Sequence, residues 1–156
     1  TRTRGICLVA RSADCIPVIL YSPDTHSAAA AHSGREGTYL GVAAKAASLL
    51  GEKYGARPDN IIACIGPGIC AGCYEVGLDC AQKFINCPRF RPDTIRLTGS
   101  KAYLDLKKMI FYDLLTFGLI ASNIEISDIC TKCRSEDFFS ARRGDSQRFC
   151  AGICLK

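Results

Sequence analysis

Short apolar runs separated by turn-forming residues occur along the whole sequence. Runs of this length, bounded by Gly, Pro, Asn, Asp or Ser, are typical of buried strands. We therefore predict strands at residues 6–10, 16–21, 27–31, 61–65, 124–129 and 149–155.

Three longer segments carry apolar residues at helical spacing instead. In residues 38–54 the apolar positions recur every three or four residues, and Gly55 with Pro58 supplies an end signal. Residues 77–84 and 104–119 show similar spacing. Because helices and strands interleave, the pattern predicts an α/β fold in which helices cover the layers of a mixed β-sheet.

The length and composition are those of one globular domain. Of the 156 residues, 48% are hydrophobic and 22% are charged, close to the globular average. We predict a single domain over residues 1–156. No apolar run reaches the roughly 18 residues that a membrane span needs, and the first residues lack a signal-peptide pattern, so we predict no membrane partner.

The net charge of +5 is modest, and the basic residues are scattered. The densest basic stretch, residues 89–108, lacks the interleaved aromatic residues on which single-stranded nucleic acids stack. We therefore predict no nucleic-acid partner. The charge is compatible with a cleft that attracts small anionic substrates.

The chain contains eleven cysteines, an odd number. Several of them lie within apolar runs, which predicts that most are buried thiols and that the fold needs no disulfide. Free thiols in this number favour a reducing, cytoplasmic location. The cysteines within apolar runs are Cys7, Cys15, Cys64 and Cys154.

Four other cysteines form two CxxC pairs, Cys70 with Cys73 and Cys130 with Cys133. Two such pairs can hold a structural zinc ion with four thiolate ligands. The segment between them is far longer than in compact zinc motifs and contains a predicted helix, so the spacing is weak evidence for such a site.

A more specific candidate site involves Cys15 and His32. Cys15 follows Asp14 at the start of one predicted strand, and His32 lies at the end of the next. Since loops at strand ends collect ligands in α/β sheets, we expect the two side chains to meet in one cleft. Thiolate and imidazole suit zinc, but a catalytic zinc has three protein ligands. His26 lies in a polar turn and is predicted to be exposed.

Four sequence blocks occur in an order that covers essentially the whole chain. They are Ser12–Tyr21 with Ala30–Thr38, Cys64–Gly77, Tyr103–Leu106, and Cys130–Thr131 with Phe138–Arg143. Taken together, they resemble the laccase-domain family, also described as multicopper polyphenol oxidoreductases and as bacterial purine nucleoside phosphorylases. The resemblance implies a laccase-domain-like unit with a cysteine-hydrolase-like α/β sandwich.

The resemblance also implies roles for Cys15 and His32 as catalytic residues and metal ligands. Family members carry a third ligand, the histidine of an upstream Gln-Val-His segment, which has no counterpart here. We therefore expect the chain to be the C-terminal portion of a longer protein. The family's His-Ala-Gly-Trp-Arg-Gly block reads His32 to Gly37 here, with Arg35 in place of Trp and Glu36 in place of Arg.

The activity that the resemblance implies is a zinc-dependent reaction on purine nucleosides. The candidates are phosphorolysis of adenosine, inosine or methylthioadenosine, adenosine deamination, or both, with a purine nucleoside and phosphate as partners. For substrate binding we single out Arg142 and Arg143, because guanidinium groups recognise phosphate, and Glu75. A solvated or salt-bridged arginine pair and a helix-start glutamate are equally compatible with the sequence.

Three alternatives stay open at this stage. Cys15 as nucleophile and His32 as base would make a metal-free cysteine hydrolase or deamidase. The family's older label implies a copper-dependent polyphenol oxidase, but one Cys and two His cannot supply several copper centres, so the donor set favours zinc over copper. The third alternative is a truncated, non-catalytic domain. The sequence does not indicate an oligomeric state.

Overall fold

The computed structural model describes all 156 residues, from Thr1 to Lys156. Its strands are β1 (Cys7–Ser12), β2 (Ile16–Ser22), β3 (Ser27–Ser33), β4 (Ile62–Ile65), β5 (Glu75–Val76), β6 (Ile95–Thr98), β7 (Lys101–Leu104), β8 (Ile124–Ile126) and β9 (Phe149–Cys154). Its helices are α1 (Arg35–Tyr39), α2 (Val42–Tyr54), α3 (Leu78–Ile85) and α4 (Leu106–Phe117). None of these helices has the length and apolar character needed to cross a bilayer.

The strands form three sheets. The largest has the order β3-β2-β4-β8, in which β2 is antiparallel to β3 and β4, whereas β4 and β8 are parallel. Strands β5, β7 and β6 form a small antiparallel sheet, and β1 pairs with β9 in an antiparallel ladder. The prediction of a mixed α/β fold is therefore confirmed.

The core lies between the large sheet and helices α2 and α4. Strand β2 contributes Ile16, Val18 and Leu20, all fully buried. Helix α2 presents Ala43 and Ala47 to the core, and such small side chains allow the helix backbone to pack closely on the sheet. Each buried Ile, Val or Leu side chain stabilises the fold by about 1.5–3 kcal/mol relative to an exposed one.

The predicted strands coincide closely with observed ones, but the prediction of one helix over residues 38–54 is wrong at its start. Helix α1 ends at Tyr39, and Gly41 adopts a left-handed conformation with φ of 70° before α2 begins. Strands β5 to β7 were not predicted. They contain two to four residues each, and β6 is mostly exposed, so they lack an apolar run.

The prediction that most cysteines are buried is also wrong. Only Cys130 is buried, whereas Cys7 and Cys154 are exposed, as are Cys64, Cys133 and Cys150. Cys7 and Cys154 are opposite each other in the β1–β9 ladder, one face of which is open to solvent. An apolar run in such a ladder alternates between a covered and an open face, so its cysteines are not all enclosed.

Candidate functional site

A tight loop between β1 and β2 holds Cys15. Asp14 has a φ of 84°, a conformation that costs a residue other than glycine about 1–2 kcal/mol. Its carboxylate accepts hydrogen bonds from the Thr131 hydroxyl (2.8 Å), the Ser140 hydroxyl (3.0 Å) and the Arg142 backbone N–H (2.7 Å). These three bonds offset the strain and fix the backbone on which Cys15 sits.

The Cys15 thiol and the His32 imidazole face the same point beside Gly34. A Cβ atom at Gly34 would lie 2.7 Å from Cys15 Sγ and 3.8 Å from His32 Nε2, so both atoms are within 4 Å of that position. A side chain there would collide with the thiol, which explains why glycine is required. The structure therefore brings together the two residues that the strand ends predicted.

A hydrogen bond on its other ring nitrogen orients the His32 imidazole. Its Nδ1 lies 2.9 Å from the backbone carbonyl of Arg11. Because a carbonyl oxygen can only accept, Nδ1 is the donor, and in the neutral imidazole this leaves the lone pair on Nε2. Metal-binding histidines are oriented in this way by a partner on the other ring nitrogen. Cys15 and His32 therefore fit two of the three protein ligands of a catalytic zinc.

No third ligand from this chain reaches Cys15 and His32. The only group of three or more potential metal-binding side chains lies elsewhere, and the Asp14 carboxylate is turned toward its three hydrogen-bond donors. His26 precedes β3, at the end opposite His32, where its exposed ring lies 3.0 Å from the Tyr21 hydroxyl. The roles of Cys15 and His32 stay predictions.

The environment of Cys15 opposes a metal-free nucleophile. Burial, together with the neighbouring Asp14 charge, raises the pKa of the Cys15 thiol above its usual value, and Arg148 opposes this only in part. Cys15 also makes no hydrogen bond to His32. A cysteine nucleophile needs a lowered pKa or a base in contact, and neither is present.

We therefore expect Cys15 to react slowly with iodoacetamide at neutral pH in chelator-treated protein. Because burial raises the pKa of the Cys15 thiol above its ordinary value of 9.0, the thiolate fraction should grow only as pH passes 9. Peptide mass spectrometry after timed alkylation would follow Cys15 separately, with exposed Cys150 as the internal reference. Fast, pH-independent alkylation of Cys15 between pH 6 and 8 would support the metal-free hydrolase instead.

The structure also contains an open cleft of about 690 Å³. Three cationic side chains line it: Arg35, Lys132 and Arg142. The Arg142 guanidinium lies 5.0 Å from the centre of the Tyr74 ring, close enough for a cation–π contact. Cys15 and His32 do not line the cleft, but Arg35 directly follows Gly34 and the Arg142 backbone N–H binds Asp14. The cleft is therefore linked to the loop that carries Cys15.

Glu75 lines the same cleft as an anion. It lies opposite Tyr103 in the β5–β7 pair and accepts hydrogen bonds from Lys101 Nζ (3.0 Å) and the Tyr103 hydroxyl (3.1 Å). The Lys101 bond, followed by the Tyr103 bond, lowers the pKa of the Glu75 carboxyl. Glu75 is therefore ionised at neutral pH and is a hydrogen-bond acceptor in the cleft.

Arg143 is arranged differently from Arg142. Its guanidinium donates to the backbone carbonyls of Thr131 (3.2 Å), Lys132 (3.1 Å) and Phe138 (2.6 Å) and also contacts Asp145. These bonds use its donors to hold together the loop between β8 and β9. The geometry thus gives Arg143 a positioning role in that loop, and Arg142 is the member of the pair that faces the cleft.

The two CxxC pairs meet in space, contrary to the expectation from their long separation. The sulfur atoms of Cys70, Cys73, Cys130 and Cys133 all lie within 4.8 Å of one another. Burial disfavours the Cys130 thiolate, but hydrogen bonds from the Cys70 and Cys133 groups outweigh it and lower the pKa of Cys130 to about 7. This four-cysteine cluster could hold a metal ion.

Comparisons with known proteins point in one direction. The chain is 34% identical to a purine nucleoside phosphorylase of Bacteroides thetaiotaomicron, covering 99% of this chain and 59% of the relative. It is 36% identical to adenosine deaminase RL5 of an unknown prokaryotic organism, covering 92% of this chain and 55% of the relative. The chain thus spans somewhat more than half the length of these curated relatives.

A solved structure supports the same relationship. The crystal structure of the hypothetical protein YfiH of Bacillus licheniformis matches with a TM-score of 0.92 and 32% identity, covering 99% of this chain and 60% of that one. The sequence profile of multi-copper polyphenol oxidoreductase laccases matches residues 1–156. The resemblance seen in the sequence blocks is confirmed: the chain belongs to the multi-copper polyphenol oxidoreductase laccase family.

Proposed function

We propose that the protein carrying this chain is a zinc-dependent enzyme that acts on purine nucleosides. Its reactions would be phosphorolysis of adenosine, inosine or methylthioadenosine, adenosine deamination, or both. The observation that carries the proposal is the convergence of Cys15 Sγ and His32 Nε2 beside Gly34, in a loop that is linked through Asp14 and Arg142 to a basic cleft. The names of the relatives, a purine nucleoside phosphorylase and an adenosine deaminase, support it.

Cys15 and His32 are the residues of this chain that would hold the zinc ion. One thiolate and one imidazole suit zinc, and this donor set favours zinc over the several copper centres of a polyphenol oxidase. We propose that a third zinc ligand comes from protein other than these 156 residues, since none of them adds a third donor to Cys15 and His32. When bound, zinc would supply a Lewis acid that stabilises charge developing on the nucleoside.

The cleft supplies recognition of the two substrates. In phosphorolysis a phosphate oxygen bonds to C1′ of the ribose, the glycosidic bond breaks, and the base leaves with the bonding electrons and takes up a proton. We assign phosphate to the cationic side of the cleft, where Arg142, Arg35 and Lys132 lie. Ionised Glu75 would accept hydrogen bonds from ribose hydroxyl groups.

The arginine at position 35 is central to this assignment. The family block has arginine at the next position, which is Glu36 here, and tryptophan where Arg35 stands. Burial raises the pKa of Tyr74, and the charges of Arg35 and Arg142 oppose that rise, so both guanidiniums lie near the Tyr74 ring. We propose that Arg35 supplies the cationic charge that the family places one residue later.

The activity is tested by incubating the full protein, loaded with zinc, with each nucleoside in the presence and absence of phosphate. Phosphate-dependent release of free base indicates phosphorolysis, and ammonia release from adenosine indicates deamination. Neither reaction in any metal-loaded preparation would favour the non-catalytic alternative. Turnover that persists in chelator-treated protein would favour the metal-free hydrolase.

Replacing Arg142 should weaken phosphate binding. A hydrogen bond to a charged group contributes about 1.5–3 kcal/mol, so Arg142→Ala is expected to raise the phosphate KM by about 10- to 100-fold. The Asp14 contact uses the Arg142 backbone and survives the change. Arg134→Ala, which removes an exposed guanidinium paired with Asp137, is the control. An unchanged phosphate KM in Arg142→Ala would remove Arg142 from the site.

We also propose a reducing, cytoplasmic compartment. All eleven cysteines are free, and a cluster of four thiols requires conditions that keep them reduced. A thiol titration of protein isolated under non-reducing conditions would test this proposal. Fewer than eleven free thiols in unfolded, metal-free protein would contradict it.

A further inference from the structure

The two CxxC segments lie at the same end of the large sheet, beyond the carboxyl ends of the parallel strands β4 and β8. Cys70 and Cys73 follow β4, and Cys130 and Cys133 follow β8. The pairing continues beyond the strands through a bridge between Gly68 and Cys130. Since parallel strands point the same way, the segments that follow them leave the sheet together, which brings the four thiols to one place.

The cluster has nearly the dimensions of a tetrahedral thiolate site. A tetrahedron with zinc–sulfur bonds of about 2.3 Å has sulfur–sulfur edges of about 3.8 Å. Here Cys73 Sγ lies 3.5 Å from Cys133 Sγ, and all four sulfurs lie within 4.8 Å of one another. The Cys70 backbone N–H points at Cys130 Sγ from 3.3 Å, a contact that stabilises a thiolate.

A buried cation lies next to this cluster. The Lys107 side chain is 7% exposed, and its Nζ donates to the carbonyls of Ser127 and Ile129, each at 2.7 Å. Ile129 immediately precedes Cys130. Burying an ammonium group against neutral carbonyls alone is costly, whereas four thiolates around a divalent ion carry a formal charge of about −2. An anionic cluster would therefore balance the Lys107 charge.

We propose that Cys70, Cys73, Cys130 and Cys133 bind one structural zinc ion, separate from the Cys15–His32 pair. With four thiolate ligands the ion has no open position, so it binds no substrate. It joins the loop after β4 to the loop after β8. Cys73 and Lys132 both line the basic cleft, so this zinc site holds two walls of the cleft together.

Cobalt substitution tests the ligand set without an activity assay. In chain reconstituted with Co²⁺ under reducing conditions, we expect the intense sulfur-to-cobalt charge-transfer band and visible d–d bands of a tetrahedral tetrathiolate. Both should persist in Cys15→Ala, which removes the only cysteine of the other site. Cys73→Ser/Cys133→Ser should lose them, together with one zinc per chain by elemental analysis. Cys150→Ser/Cys154→Ser, two exposed cysteines on β9, should keep both signals.

Chelation should also lower the thermal midpoint of the wild-type chain by roughly 10 °C or more, because binding of a structural metal is part of the folding free energy. The same treatment should shift the midpoint of Cys73→Ser/Cys133→Ser much less. If the double variant does not fold, the single variant Cys133→Ser can replace it in both experiments. Cys133 is exposed, so removing its thiol removes little packing.

Three outcomes would overturn the proposal. One is that the Cys15→Ala variant binds no metal, which would mean that all the metal bound by the wild-type chain is at the Cys15–His32 pair. Another is a Cys73–Cys133 disulfide in freshly reduced, zinc-treated protein. The third is visible absorption of the purified, cobalt-free protein, which would indicate an iron–sulfur cluster in place of zinc.

Discussion

Replacing Cys15 or His32 by alanine in the full protein is expected to reduce kcat/KM for purine nucleosides by more than about 100-fold. Residues that merely orient a metal ligand already cost 10–100-fold when changed, and these two side chains are the proposed ligands themselves. Each variant should also lose zinc from this site. Steady-state assays with adenosine and inosine, together with zinc stoichiometry, measure both effects.

The chain offers a matched control for each change. His26 is the only other histidine, and Cys150 is exposed on β9; His26→Ala and Cys150→Ala should keep the wild-type rate within about twofold. In metal-free protein the free energy of unfolding of Cys15→Ala and His32→Ala should change little, because neither side chain belongs to the buried core. Loss of zinc and activity in His26→Ala, with both retained in His32→Ala, would show that the choice of ligands is wrong.

The large sheet could be predicted from sequence because its strands are buried and continuous. In β2, for example, Ile16, Val18 and Leu20 are fully enclosed, and a buried strand requires apolar residues. The small sheet carries no such requirement: Arg96 and Leu97 of β6 are both exposed. Its position nevertheless determines the cleft, since β5 carries Glu75 and β7 carries Tyr103.

The proximity of Cys15 and His32 in the candidate site could be predicted, because it depends on neighbouring strands. Cys15 and His32 are at the same end of the β2–β3 hairpin, where Ile16 pairs with Ser33. The contacts that hold them were not predictable. Asp14 is bound by Ser140 and Arg142, more than 120 residues later in the chain, and only the assembled fold brings these residues together.

The four-cysteine cluster shows how sequence spacing misleads. A long separation that contains a helix argues against a compact zinc motif, but parallel strands need a crossover connection of a dozen residues or more. Helix α4 lies in the connection from β4 to β8. Each CxxC pair comes just after a predicted strand. If these two strands are assumed to be parallel neighbours, the sequence alone indicates the four-cysteine cluster.

Removing the Asp14 carboxylate is expected to cause the largest loss of stability among exchanges of a single charged residue. Asp14→Ala leaves the Thr131 hydroxyl, the Ser140 hydroxyl and the Arg142 N–H without their acceptor, and Asp14 is 6% exposed. Each buried, unsatisfied group costs about 1–3 kcal/mol, so for three such groups we expect a loss of at least about 3 kcal/mol from urea unfolding. Alanine also tolerates the positive φ poorly.

Asp14→Asn separates the contribution of the lost hydrogen bonds from the cost of placing alanine at a positive φ. Asparagine accepts a left-handed conformation more readily than alanine and keeps one carbonyl oxygen as acceptor, but its amide hydrogens face donors, so it should recover about half of the loss. Asp137→Ala, at an exposed ion pair with Arg134, should cost less than about 1 kcal/mol. Because Thr131 adjoins Cys130, Asp14→Ala should also weaken metal binding by the four-cysteine cluster, measured by chelator competition. An Asp14→Ala protein as stable as Asp137→Ala would show that the hydrogen bonds to Asp14 do not hold these loops together.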